Sequence, residues 1–314
     1  MNKVISNIVF TKNRPLQLEG YLESLYRYFP AKLFQTYVLY KVELFEEEYE
    51  LLFRKYPDCV VIKEEDFHSD LLKLLSQINT KYILFGVDDV VYFDSVDFEV
   101  IDETFNRFPE DTFGFSLRFS KESIESGNDP VSEAVVAGQT VYRIDWTQGH
   151  TPTTRYPFEL CATIYPTGLV KKVINNEMNN NLLIKRFFSP GSVLMKVLGQ
   201  SKLRRRILKR FGYFFSPNTF ESWNCRWCQN NSHQLTWFLF FQKFCASAIQ
   251  VNTVNTSILN ISKGTNEKTV EALNDRYKQG DRLDLDFVKN NKPTGTHCGK
   301  EKFRLINKQQ QKEL

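Results

Sequence analysis

Two adjacent carboxylates, Asp88 and Asp89, follow a wholly apolar segment, Tyr82 to Val87. Neighbouring ionised carboxylates repel each other and are costly to bury, and a divalent cation offsets both penalties. Mg²⁺ or Mn²⁺ binds one or two carboxylates together with substrate phosphates. Because side chains alternate along a strand, we assign Asp89 to the metal and Asp88 to ribose or sugar hydroxyls. The alternative is a solvated pair that caps the next turn.

The elements that position this pair are predicted by a repeating pattern over residues 1–110. Four apolar or β-branched segments predict strands that alternate with helices, an order that favours an α/β fold with a mostly parallel sheet and helices on both faces. The predicted strands are Ile5 to Phe10, Thr36 to Val42, Cys59 to Ile62 and Tyr82 to Val87. Ligands bind outside the carboxyl ends of such strands. One edge of the sheet is therefore predicted to gather Thr11–Arg14, Lys41–Glu43, Glu64–Asp66 and Asp88–Asp89.

The pattern after residue 110 is less regular. The sequence predicts two more strands, a polar loop over 120–138, a single helix over 217–241 and a loosely structured tail after Pro293. The two strands are Phe113 to Phe119 and Val141 to Trp146. We find no clean linker between the halves, which favours one domain over two independent ones.

Several short motifs carry a resemblance to a known family. The segment Ile8-Val9-Phe10-Thr11-Lys12-Asn13-Arg14-Pro15-Leu16-Gln17-Leu18 resembles the opening of bacterial and viral glycosyltransferases of the GT-A type. Tyr82 to Asp89 resembles their DXD-type motif in the form X-Asp-Asp, with Val87 at the position of the first acid. Residues 115–118, 217–221 and 252–260 are similar to segments of family-2-like enzymes of bacterial polysaccharide synthesis.

This resemblance implies a GT-A-like, Rossmann-related fold with a helical C-terminal acceptor or lid region. Within one catalytic domain, residues 1–110 would form the nucleotide-sugar-binding half and residues 111–314 the acceptor-binding half. Nucleotide-binding roles are implied for Thr11, Asn13, Arg14 and Glu43. The alternatives are a surface salt bridge for Arg14 and a solvated charge for Glu43.

Two acids and one histidine complete the implied site. Glu221 follows the helix-start sequence Pro217-Asn218-Thr219, where the resemblance implies a general base, although the same spacing is also that of a capping box. Glu159 is a second candidate for the base. His297 corresponds to a late histidine that serves as a metal ligand in the family, and an unliganded tail histidine is the alternative.

Composition restricts the compartment and the class of partner. A net charge of +4 argues against a nucleic-acid-binding protein, and six cysteines without a repeating spacing favour a reducing cytoplasm. Cys225 and Cys228 have C-x₂-C spacing, with His233 nearby, which suits either a zinc site or simple packing of thiols. We prefer packing.

A basic segment, 202–210, is followed by an aromatic one, 211–215. Such a stretch is typical of a peripheral contact with an anionic membrane that carries a lipid-linked acceptor, here on its inner face. It is also typical of a solvated helix face or of a contact with RNA. No apolar run in the sequence is long enough to span a bilayer.

Together these features predict a metal-dependent, hexosyltransferase-like enzyme. It would use Mn²⁺ or Mg²⁺ and a nucleotide diphosphate sugar, with uridine as the expected base, to extend a glycan or lipid-linked glycan of a cell-surface polysaccharide or glycoconjugate. The alternative is a non-catalytic glycan-binding or scaffold protein on the same fold. A metal-dependent nuclease is a third class, which the modest net charge disfavours.

Overall fold

The computed structural model describes residues 3–176, 181–188, 192–199, 201–203, 206–207, 216–231, 235–252 and 268–307. Most of the basic-aromatic stretch at 202–215, His233 and residues 253–260 lie outside these described residues. No helix in the described part of the chain is both long and apolar enough to cross a bilayer.

Four parallel strands form the N-terminal part of the sheet, in the order β3-β2-β1-β4. They are β1 (Ile5–Lys12), β2 (Phe34–Lys41), β3 (Val60–Lys63) and β4 (Tyr82–Val87). The connecting helices are α1 (Pro15–Tyr28), α2 (Glu46–Lys55) and α3 (Phe67–Gln77). The predicted mostly parallel α/β sheet is confirmed, and the carboxyl ends of its first four strands share one edge.

Five further strands extend this sheet to nine, in the order β3-β2-β1-β4-β9-β6-β10-β8-β7. β8 and β9 run opposite to the other seven. The added strands are β6 (Thr112–Ser116), β7 (Ser132–Val136), β8 (Gln139–Asp145), β9 (Thr163–Pro166) and β10 (Trp237–Phe240). The helices of this part are α4 (Phe98–Arg107), α5 (Lys121–Glu125), α6 (Thr167–Ile174), α7 (Leu182–Phe188), α8 (Val193–Val197) and α9 (Pro217–Asn230).

Apolar side chains pack against both faces of the sheet, as predicted. Helices α1, α2 and α4 cover one face, while α3, α6 and α9 cover the other. Neighbouring residues of one strand enter opposite cores, with Leu84 on the first face and Ile83 and Phe85 on the second. This alternation explains why β4 is apolar at every position.

Two predictions for residues 120–241 were wrong. The predicted helix Pro217 to Phe241 ends at Asn230, and the aromatic segment Trp237–Phe240 is a strand between β6 and β8. A short, wholly apolar run fits a buried strand as well as a helix, and pairing on both sides decides between them. The predicted loop at 120–138 contains α5 and the edge strand β7, whose polar residues face solvent.

A second, three-stranded sheet lies beside the acidic pair. β11 (Ala246–Ile249) pairs with β5 (Val90–Tyr92), directly after Asp89, and with β13 (His297–Cys298). The register places Ala248 opposite both Val90 and His297. The tail after Pro293, predicted to be loose, is therefore ordered here by main-chain pairing.

The C-terminal segment packs on α1. It contains α10 (Val270–Lys278), β12 (Asp281–Leu283), α11 (Leu285–Asn290) and β14 (Leu305–Asn307). Glu19 of α1 is 1% exposed, accepts from the Tyr277 hydroxyl at 2.6 Å and pairs with Arg282 at 2.9 Å. A buried carboxylate with several donors fixes the position of this segment on the domain.

A substitution at Gly86 in β4 tests the packing of the strand that precedes Asp88 and Asp89. A Cβ at Gly86 would lie 2.2 Å from the hydroxyl oxygen of the buried Tyr21, which itself donates to Asn7 Oδ1 at 2.7 Å. We expect Gly86→Ala to lower the free energy of unfolding by about 3 kcal/mol, since an overpacked core must shift. Urea unfolding measures this effect.

The control is Gly168→Ala in α6, where an added Cβ meets nothing within 4 Å. This variant should be neutral or more stable by up to about 1 kcal/mol, because alanine is the better helix former. Equal unfolding midpoints for Gly86→Ala and the wild type would contradict the described packing of β4.

Candidate active site

The first half of the site is a buried polar cluster where β1 and β4 end. Arg14 Nη1 donates to Asp88 Oδ1 at 2.6 Å, and Thr11 donates to Asp88 Oδ2 at 2.8 Å. The Tyr49 hydroxyl lies 2.8 Å from Thr11 Oγ1 and accepts from the backbone N–H of Arg14 at 2.9 Å. Arg14 is 7% exposed and Asp88 is 4% exposed. Both oxygens of Asp88 are thus engaged within the protein, where they fix the Arg14 guanidinium.

Asn13 and Glu43 lie on the outer part of the same edge. Asn13 has a φ of 52°, a left-handed conformation that asparagine tolerates, and its Oδ1 accepts from the backbone N–H of Glu43 at 2.9 Å. The Glu43 carboxylate faces solvent and pairs with Lys12 at 2.9 Å. These contacts link the end of β1 to the end of β2, at the edge of the sheet where the sequence predicted that these residues lie.

Asp89 lies between the two sheets. Its carbonyl accepts from the backbone N–H of Ile249 at 2.8 Å, and its Oδ2 lies 3.9 Å from Arg14 Nη1. Its Oδ1 is buried and has no hydrogen-bond partner among the described residues. Burial raises the pKa of Asp89 to about 6, against the opposing charge of Arg14. A buried carboxylate oxygen without a donor is costly, so it calls for an explanation such as a bound ion, a water or a catalytic role.

Arg118, which follows β6, lies at the centre of the second half of the site. It is 3% exposed, and its Nε donates to the Cys161 carbonyl at 3.0 Å. Its Nη1 donates to the Thr296 carbonyl at 3.0 Å and lies 3.4 Å from His297 Nε2, while its Nη2 pairs with Glu159. This single guanidinium therefore connects three segments that are remote in sequence.

The two candidate bases, Glu159 and Glu221, lie close together but differ in their contacts. Glu159 accepts from Arg118 through Oε2 and from Thr163 through Oε1. Glu221 accepts from the backbone N–H of Leu160 through Oε2, at 3.0 Å. Burial raises the pKa of Glu221 to about 7, and the charge of Glu159 adds to this rise. Glu221 is therefore the acid that changes protonation near neutral pH.

His297 faces the same cluster from β13. Its ring keeps an exposed edge, but desolvation and the charge of Arg118 lower its pKa to about 4. Asp89 also interacts with the charge of Arg118, so His297 and Asp89 both neighbour this guanidinium. The imidazole is neutral at pH 7, the form in which histidine binds metals.

The side chains of this site can be compared with the set of ligands that a divalent cation requires. In the part of the chain that the structure describes, no three His, Cys, Asp or Glu side chains are close enough to form a metal site by themselves. The unpartnered Oδ1 of Asp89 and the neutral ring of His297 fit a cation that takes its remaining ligands from a diphosphate and water. They do not form a cage made of protein ligands only.

Arg118 and Tyr49 are functional candidates to which sequence analysis gave no role. Arg118 belongs to the short motif at residues 115–118, and Tyr49 lies within α2. Asn252 is a third, because its carbonyl accepts from Arg14 Nη2 and its side-chain Nδ2 donates to the Lys268 carbonyl at 3.0 Å. Only long-range contacts identify these residues.

Cys225 and Cys228 follow Glu221 on α9, and Cys225 is close enough to interact with the charges of Glu221 and Glu159. Both are buried on α9 in the core that covers the second face of the sheet, and neither forms a disulfide. Burial raises the pKa of both thiols, which keeps them protonated. Their contacts are those of small apolar side chains, the interpretation preferred from the sequence.

Comparisons with known proteins indicate which class of protein this chain resembles. No family model matches the sequence. The bifunctional glycosyltransferase pgtA of Dictyostelium discoideum is 25% identical over 190 residues, which cover 54% of this chain and 24% of that protein. The chain thus spans about a quarter of the length of this relative.

Solved structures found by comparison of folds include the following two. TarS of S. aureus has a TM-score of 0.38 and 15% identity, covering 68% of this chain and 43% of its own. The mannosyltransferase PcManGT from Pyrobaculum calidifontis, solved with GDP-Man and Mn²⁺, has a TM-score of 0.29 and 12% identity, covering 39% of this chain and 37% of its own. The similarity to pgtA confirms that the chain resembles glycosyltransferases, as its GT-A-type motifs predicted.

Proposed function

We propose that this protein is a glycosyltransferase that uses a nucleotide diphosphate sugar. The observation that carries the proposal is the buried Asp89 Oδ1 at the carboxyl edge of the sheet. This oxygen has no hydrogen-bond partner among the described residues, and the Asp89 carboxylate interacts with the charges of both Arg14 and Arg118. Two guanidinium groups held beside a carboxylate suit a ligand that combines a diphosphate with a divalent metal ion. Opposite charges in a buried site stabilise a departing diphosphate with little reorganisation.

We assign residues 1–110 to the donor and residues 111–314 to the acceptor. Thr11, Asn13, Arg14 and Glu43 would contact the nucleotide, with uridine as the expected base. Asp88 would hold Arg14 and meet a ribose or sugar hydroxyl beside its existing bonds. Asp89 and His297 would hold Mn²⁺ or Mg²⁺, which supplies positive charge to the leaving diphosphate when bound.

Glu221 is our choice for the general base. Its Oε2 accepts one backbone hydrogen bond, and its pKa of about 7 suits proton transfer at neutral pH. It would take the proton of the acceptor hydroxyl while that oxygen bonds to the anomeric carbon and the nucleotide diphosphate leaves. Glu159, with both oxygens engaged, would orient Arg118.

The acceptor would be a glycan or lipid-linked glycan of a surface polysaccharide or glycoconjugate. This proposal rests on the resemblance. The alternative, a glycan-binding scaffold, is favoured by one observation: both oxygens of Asp88 are already committed within the protein. Turnover of any nucleotide sugar in a panel of UDP-, GDP- and dTDP-sugar donors separates the two.

Isothermal titration with UDP, with and without Mn²⁺, tests the donor site. We expect a dissociation constant between about 1 μM and 1 mM, the usual range for enzyme substrates, and at least tenfold weaker binding in EDTA. Asp89→Asn should reproduce the EDTA result in the presence of Mn²⁺. Failure of UDP, GDP and dTDP alike to bind the wild type would defeat the proposal.

A further inference from the structure

Six of the eleven large hydrophobic side chains that are exposed among the described residues lie between positions 183 and 203. Val193 and Val197 are 78% and 79% exposed, and Leu183 is 70% exposed. The other three are Phe187, Leu194 and Leu203. This concentration on two short helices and the residues after them, called here the apolar-basic surface, differs from the scattered exposed side chains of an ordinary protein surface.

The apolar-basic surface is attached to the body of the domain by a few specific contacts. Met195 of α8 is 1% exposed, so the opposite side of that helix faces the protein. Ser192 Oγ donates to the Phe187 carbonyl at 2.7 Å and joins α7 to α8. Lys185 donates to Ser69 Oγ at 2.7 Å and pairs with Asp66, at the start of α3. The exposed side chains are therefore held outward by a positioned scaffold.

The charge of this part of the sequence is one-sided. From residue 178 to residue 220 the sequence contains nine Lys or Arg residues and no Asp or Glu, whereas the whole chain has 41 basic and 37 acidic residues. Among the described residues, Arg186, Lys196, Lys202 and Arg206 are exposed. Exposed aliphatic side chains and an uninterrupted positive charge occupy the same stretch of the chain.

We propose that the apolar-basic surface binds the surface of a bilayer that contains anionic phospholipid. Leucine, valine and phenylalanine side chains of this kind insert at the boundary between headgroups and acyl chains, and each nearby lysine or arginine adds about 1 kcal/mol of attraction to anionic lipid. RNA would use the charge but not the exposed valines and leucines. A second copy of the chain would bring like charges together.

The location of this surface gives it a relation to the candidate active site. Asp66, the partner of Lys185, belongs to the edge of the sheet where the first four strands end. Along the sequence, the stretch of Lys and Arg residues between positions 178 and 220 is followed by α9. This helix carries Glu221 in its second turn. Membrane binding here would bring an acceptor embedded in the bilayer towards the edge proposed for sugar transfer.

Co-sedimentation with vesicles tests the proposal without any nucleotide or acceptor, so it stands apart from the proposed enzymatic function. We expect the protein to sediment with vesicles of phosphatidylglycerol and phosphatidylcholine, and at least tenfold less with pure phosphatidylcholine or in 1 M salt. Val193→Ser with Val197→Ser should weaken binding about tenfold, and so should Lys196→Glu with Lys202→Glu.

The matched controls are Leu51→Ser on α2 and Val135→Ser on β7, both 59% exposed and both remote in sequence from this surface. They should bind vesicles like the wild type, and all variants should keep the wild-type melting temperature because the side chains are exposed. The proposal is overturned if the wild type ignores anionic vesicles or if the controls weaken binding equally. The proposal is also overturned if the serine variants bind vesicles like the wild type but lose self-association or RNA binding.

Discussion

Asp89→Asn is expected to lower turnover by about 10²–10³-fold or more, the usual loss when a charge-stabilising group is removed from an active site. An amide has the shape of the carboxylate but not its charge. Among the described residues, no donor bonds to the buried Oδ1 of Asp89, so we expect its charge to act on a bound ligand. Steady-state rates with the active donor from the nucleotide-sugar panel measure this effect.

The same variant should not be less stable than the wild type at pH 8. Burial raises the folded-state pKa of Asp89 to about 6, above its ordinary value of 3.8. The folded protein therefore binds this proton more tightly than the unfolded chain, and the associated stability is lost as the pH rises from about 4 to about 6. Above that range the ionised Asp89 destabilises the fold, and asparagine removes the penalty.

Asp88→Asn is the control for this prediction. It weakens the ion pair with the buried Arg14, and disrupting a buried pair typically costs about 3–5 kcal/mol when one charge is left unpaired. Its melting temperature should fall together with its activity, whereas Asp89→Asn should lose activity only. Wild-type turnover by Asp89→Asn would refute the assigned role of Asp89.

Glu221→Gln has the second-largest expected effect, a fall in kcat of about 10²–10⁴-fold, the contribution of a positioned general base. In the wild type, kcat should rise with pH through about 7, because Glu221 accepts a proton only after losing its own. The variant should lose this inflection. A pH–rate profile of both proteins, with the active donor and acceptor, provides the measurement.

Stability gives an independent readout for Glu221. Its raised folded-state pKa means that its contribution to stability falls as the pH rises from about 4.5, its ordinary value, towards 7. Glu221→Gln should therefore melt at a higher temperature than the wild type at pH 8 and at a similar temperature at pH 4.

Glu159→Gln provides the contrast. Glu159 pairs with the buried Arg118, so its neutralisation should destabilise the fold by about 3–5 kcal/mol. If Glu221→Gln keeps full activity and the inflection near pH 7 moves with Glu159 instead, the roles of the two acids are reversed.

Local patterns in the sequence determined much of the first half of the fold. The first four strands could be predicted because each is a short apolar or β-branched run within a repeating β-α order. Their parallel arrangement also predicted the shared edge that contains Thr11, Arg14, Asp88 and Asp89, since the carboxyl ends of parallel strands meet on one side. Part of the resemblance to glycosyltransferases came from the same segments, Ile8 to Leu18 and Tyr82 to Asp89.

The tertiary structure decided the rest, because the second half of the site depends on pairings between distant segments. Trp237–Phe240 is a strand only because β6 and β8 flank it, and His297 reaches the site only because β13 pairs with β11. Arg118 gains its meaning from contacts with Glu159 and Thr296, 41 and 178 residues away along the chain. Hydrophobic periodicity records which face of an element is buried, but it does not record which remote residue is buried against it.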